Sequence, residues 1–136
     1  MVNWLGVVIA AASTLVVGML WYGPLFGNRW SKLMGFTAKQ VSEGKKKGMA
    51  GMARPMAAGF VAGLVKAYVL ATFLQMVAVG FPTAAYVAGM IWLGFLATGG
   101  LNSVLWEGRS WELYFLNVFA SLTELLVMAG ILAYWA

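Results

Sequence analysis

Four long apolar runs, separated by shorter polar stretches, set the pattern of the chain. They cover about residues 4–26, 55–79, 83–106 and 111–135. Each supplies the roughly 20 consecutive apolar residues that a helix needs to cross a bilayer. The pattern predicts an all-α integral membrane protein, a four-helix bundle forming a single transmembrane domain over residues 1–136. Pro24 marks the end of the first span and Pro55 is acceptable at the start of the second. Gly80-Phe81-Pro82 and Glu107-Gly108-Arg109-Ser110 read as the short turns on either side of the third.

The connection at 27–54 is the one long polar stretch, and it is basic. It carries Arg29, Lys32, Lys39, Lys45, Lys46, Lys47 and Arg54 against a single acid, Glu43. Trp30, Leu33 and Met34 suggest a short amphipathic helix lying on the membrane. Thr37 and Gln40 fit a capping box, so a second short helix is expected to begin there and to end at Gly44 or Gly48. Lysine and arginine concentrate in cytoplasmic loops, which places this loop inside and both chain ends outside the cytoplasm. The ordinary reading of the lysine triplet is a topology signal. The sharper one is that Lys45, Lys46 and Lys47, with Arg29 and Lys32, bind an anionic lipid headgroup, a nucleic acid or another partner. Membrane lipid is the expected partner, and nucleic acid is not.

Composition agrees with a lipid-adapted chain. Of 136 residues 62% are hydrophobic and 10% charged, and the net charge is +5. A soluble domain carries about 25% charged residues. The opening Met1-Val2-Asn3-Trp4 has no basic residue, and the apolar run continues past Ala10-Ala11-Ala12. The first span is therefore read as retained and not as a cleaved signal peptide. The sequence contains no cysteine, histidine or aspartate. Thiol nucleophiles, histidine-based triads and zinc sites lack their residues, and no nucleotide-binding glycine motif is present. No enzymatic activity, metal or cofactor is expected.

Candidate chemistry narrows to polar residues inside the spans. Glu124 sits near the middle of the fourth span, with Asn117 and Ser121 on the same helical face. A carboxylate at that depth is costly and normally faces the bundle interior. Lys66 lies eleven positions past Pro55, and Glu124 thirteen past Trp111. The difference is about 3 Å along the helix axes, within reach of a lysine side chain. Thr14 falls at a similar level, and Asn102 and Asn117 share a shallower layer. Gly59 and Gly63, continued by Ala62 and Lys66, form a small-residue face, and Ala11 and Gly18 flank Thr14 on another. Both would permit close helix packing. On this reading Lys66 should not meet lipid.

Two functions are compatible with a Lys66–Glu124 pair. In one, it is a proton- or ion-responsive centre of a homo-oligomeric, transporter- or channel-like protein. In the other, it is a buried salt bridge that fixes register within a membrane scaffold whose basic loop binds lipid or a partner. Most tryptophans, among them Trp4, Trp21, Trp30, Trp106, Trp111 and Trp135, read as interfacial anchors, as does Tyr22. Trp92 is expected in the core or against lipid.

Several local motifs also resemble a known family. The run Trp21-Tyr22-Gly23-Pro24-Leu25-Phe26-Gly27 with Trp30, Trp92-Leu93-Gly94-Phe95, Glu107-Gly108-Arg109 and Asn117 is similar to an uncharacterised family of small bacterial four-span membrane proteins, described as a domain of unknown function. The resemblance covers essentially the whole chain. It implies a four-helix fold, a bacterial origin and a place in the inner membrane, and it supplies no activity.

Overall fold

The computed structural model describes residues 3–77 and 80–134 and contains, among them, helices and turns but no strand. Asn3 caps the first helix, α1 (Trp4–Leu20), by accepting hydrogen bonds from the Leu5 and Gly6 amides. α1 runs into a widened, π-type turn at Trp21–Leu25. Gly23 leaves helical geometry there because the ring of Pro24 crowds the residue before it. Gly27 is required just beyond, since a Cβ would lie 2.6 Å from the Tyr22 carbonyl oxygen.

The short amphipathic helix is α2 (Gly27–Met34). It ends in a Schellman motif, with Gly35 left-handed at φ +80° and the Gly35 and Phe36 amides bonded to the Lys32 and Ser31 carbonyls. The Trp30 and Phe36 rings pack edge to face across that turn. A bidentate ion pair from Arg29 to Glu112 fastens α2 to the start of the last helix. The bond to that carboxylate holds the Arg29 guanidinium above its ordinary pKa. Both partners are exposed, so the bridge is a positional latch. Arg29→Ala is expected to speed hydrogen exchange at the α2 amides while leaving the melting temperature of the bundle unchanged. Unaltered exchange would assign the docking of α2 to its aromatic contacts alone.

The capping box forms as read, with reciprocal bonds between Thr37 and Gln40 of 2.8 and 3.1 Å. Its helix does not stop at Gly44 or Gly48. One helix, α3 (Ala38–Val77), continues through both glycines and Pro55 into the second span. Each interior glycine costs about 1 kcal/mol, but extending an established helix adds a hydrogen bond per residue, and neither glycine turns left-handed to end it. α3 is about 60 Å long, roughly twice the hydrocarbon thickness, so its basic N-terminal half projects beyond the apolar zone. The loop thus holds one short amphipathic helix and the head of a long one.

Gly80, at φ +91°, precedes α4 (Phe81–Ile91), which carries Pro82 in its first turn. The third span then widens at Trp92–Ala97 and breaks into short turns at Thr98–Gly100 and Asn102–Leu105. The last helix is α5 (Trp111–Tyr134). Four stretches, Trp4–Leu25, Arg54–Met76, Phe81–Leu105 and Trp111–Tyr134, are long and apolar enough to cross a membrane. Val79 and Trp135, expected at span ends, lie outside the described residues.

α1 packs between α3 and α5, and α4 packs on α5, whereas α3 and α4 barely touch. Near the chain ends the core is built from small residues, with Ala10, Ala67, Ala88 and Ala129 fully buried around Met128. Small side chains let helices approach closely where lipid supplies no hydrophobic contrast. Toward the other end, aromatic donors hold the bundle. Trp21 Nε1 donates to the Leu116 carbonyl at 3.0 Å, Trp92 Nε1 to the Val118 carbonyl at 2.6 Å, and Tyr22 Oη to Asn117 Oδ1 at 2.9 Å. Trp21 and Tyr22 are therefore not free interfacial anchors. In an apolar setting their polar atoms need acceptors, and α5 offers them. Trp4, Trp106 and Trp111 are exposed at helix ends, where anchors are expected.

Candidate functional site

Glu124 and Ser121 occupy one face of α5, and the same face points toward α3 and α4. Lys66 of α3 reaches it, with Nζ 3.8 Å from Glu124 Oε2. That separation makes an ion pair but exceeds hydrogen-bond length. Among the described residues neither group makes a hydrogen bond. Their burial is unequal. The Glu124 side chain is 21% exposed and that of Lys66 53%.

The difference arises because the pair does not lie on the bundle axis. It forms the floor of a groove of about 320 Å³ between α3 and α4, with walls that include Val65, Val69, Phe73, Ile91, Phe95 and Leu125. An adjoining cavity of about 330 Å³ shares Phe73, Ile91 and Phe95, so the groove extends along the gap. Phe95 is 76% exposed and Val65 60%, which leaves the groove open sideways toward lipid. The expectation that Lys66 would be shielded from lipid is thus corrected. Gly59 and Gly63 turn toward α1, while Ala62 and Lys66 stand at the outer edge of that face.

Of the remaining polar residues, Ser121 lines the groove with the pair, whereas Thr14 and Asn102 stand apart from it. Thr14 is buried in the α1–α3 seam beneath Gly63 and donates to the Ala11 carbonyl at 2.7 Å. Asn117 binds Tyr22, and Ser121 donates to the Asn117 carbonyl at 3.3 Å, so the polar stripe of α5 is continuous above the groove. Asn102 is exposed beyond the break in the third span and does not join Asn117. Gly59 meets the Leu15 side chain, but Gly18 borders open space, so the close packing expected there is absent. Lys32, Lys46 and Arg29 are exposed. The side chains of Lys45 and Lys47 lie outside the described residues.

Sequence reasoning did not find the groove, the hydrogen-bonding role of Trp21, Tyr22 and Trp92, or the Arg29–Glu112 latch. A usable signal existed for one of them. Tyr22 and Asn117 both lie near the same ends of their spans, at the depth where a polar side chain needs a partner.

Comparison with known proteins adds a family and no activity. A family model described as "Protein of unknown function (DUF1761)" matches residues 5–133. Searches of curated proteins and of solved structures give no match.

Proposed function

We propose a function on the premise that the chain belongs to the DUF1761 family of proteins of unknown function: it is a transport-type membrane protein whose working centre is the Lys66–Glu124 pair. The observation that carries this reading is the position of the pair. A salt bridge serving register alone is expected between packed helices with its remaining donors and acceptors hydrogen-bonded, since only then is the cost of desolvating its charges repaid. Here the ammonium is half-exposed in a groove with exposed walls, and among the described residues neither group has a hydrogen bond. Paired ionisable groups within membrane spans commonly mark ion and proton pathways.

Four helices alone leave little room for a pathway, so the proposal includes a homo-oligomer whose second copy supplies a further wall. It also includes a bacterial cytoplasmic membrane, as the resemblance implies, and, on the charge asymmetry of the loops, the basic segment 27–54 inside and both chain ends outside. The test is reconstitution into liposomes with an internal pH dye. The wild type is expected to pass protons, and Glu124→Gln to be silent while keeping its helical spectrum.

One observation favours a second reading, that of a scaffold. The N-terminal half of α3 projects beyond the apolar zone with Lys39, Lys46 and Arg54 exposed, a shape suited to an anionic membrane surface or partner. On that reading Glu124→Gln changes stability only, and no variant conducts.

A further inference from the structure

Taking the groove as the working site, we propose that it binds a single-chain lipid whose head is an uncharged group able both to donate and to accept a hydrogen bond, namely a protonated long-chain carboxylic acid.

The argument starts from charge balance. Lys66 and Glu124 together are neutral, and the groove walls bring no further charged side chain. An occupant with a charged head would leave a net charge at membrane depth, which the bilayer opposes. A neutral head avoids this. Hydrogen-bonding capacity then selects the kind of neutral head. Lys66 offers N–H donors with no acceptor, and Glu124 offers carboxylate oxygens with no donor, 3.8 Å apart. A carboxylic acid presents a carbonyl oxygen and a hydroxyl on one carbon. Its carbonyl accepts from the Lys66 ammonium while its hydroxyl donates to the Glu124 carboxylate. Both are bonds to charged groups, the stronger kind. The ester linkages of ordinary bilayer lipids accept but cannot donate, so they satisfy only half of the pair.

Shape agrees with this assignment. The pocket above the pair is bounded almost wholly by apolar atoms and continues into a second apolar cavity past Phe73 and Phe95. Each falls at the lower end of the roughly 300–1,000 Å³ usual for ligand sites. A slender chain fits such a path. Because the groove opens sideways, the occupant enters from the bilayer without crossing water.

The experiment uses purified full-length protein in detergent at mildly acidic pH. The probe is cis-parinaric acid, a fluorescent fatty acid excited by energy transfer from the tryptophans. Saturable binding is expected. The methyl ester, which lacks the donor, should bind about tenfold more weakly, as should the acid to Lys66→Met. Val65→Trp fills the groove from an exposed wall position while keeping both charged residues, and it should weaken the acid comparably. Equal binding of acid and ester, or wild-type binding by Val65→Trp, overturns the proposal. Its fate is separable from that of the transport reading. Proton flux without acid binding rejects the ligand, whereas acid binding without flux rejects transport and leaves the ligand in place.

Discussion

Gly63→Leu is expected to destabilise the bundle by about 3 kcal/mol, through overpacking at the α1–α3 seam. The side chain has nowhere to go. A Cβ at Gly63 already lies 2.9 Å from Thr14 Oγ1 and 3.2 Å from the Ala11 carbonyl oxygen. Thr14 cannot swing away freely, because its hydroxyl is bonded to that same carbonyl. Backbone atoms on the α1 side make the contact rigid, so the helices must move apart. Gly18→Ala is the matched control. Nothing lies within 4 Å of the Cβ it would add, and alanine is the better helix former by about 0.5–1 kcal/mol. Unfolding followed by tryptophan fluorescence in detergent should place the two variants on opposite sides of the wild type. A neutral Gly63→Leu would show that α1 and α3 are not in close contact at this level.

The second large effect concerns the ion pair. Lys66→Met leaves the Glu124 carboxylate without its counter-charge, and Glu124→Gln does the same to the ammonium. A lone charge at the centre of a span costs about 2.5–3.5 kcal/mol on insertion scales. The two losses should differ. Glu124 is short and mostly enclosed, whereas Lys66 is half-exposed on a long stem that can bend toward a more polar layer. Lys66→Met is therefore expected to be the more damaging variant. The double variant removes both charges and should recover most of the loss, with a coupling of about 1–3 kcal/mol. Additive single effects would mean that the two groups do not interact.

Much of this architecture is written in the sequence, for a physical reason. Lipid demands a continuous apolar surface on every spanning helix, so the four runs announce themselves through hydropathy alone. The fixed rise of a helix then relates depth to residue number, and this is how Lys66 and Glu124 could be matched although they are 58 positions apart in the chain. What depth cannot supply is azimuth. Gly59, Gly63 and Lys66 share a broad face by spacing, yet the rotation of α3 against α1 decides that the glycines are covered and the lysine is not. The groove is likewise invisible to sequence, since it arises from two helices failing to meet.

Helix ends were misjudged where a local signal competed with a cooperative one. Gly44 and Gly48 resemble stops, but neither adopts the left-handed conformation that would end the helix, and α3 runs on. Sequence misses the hydrogen-bonding role of the aromatics because tryptophan suits both an interface and an interior. Only the structure shows that Trp21 and Trp92 turn their indole N–H groups to carbonyls of α5. The Arg29–Glu112 latch joins residues 83 apart in sequence, and no periodicity relates them.

The charge-free double variant Lys66→Met/Glu124→Gln gives the most direct measurement, because it separates folding from function. It should be reconstituted beside the wild type and its proton flux followed in matched liposomes, with thermal stability read on the same samples. If the pair is the working centre of a transport protein, the wild type passes protons, and the double variant is close to native in stability yet silent. Flux that survives in the double variant, or a wild type that never conducts, contradicts that assignment.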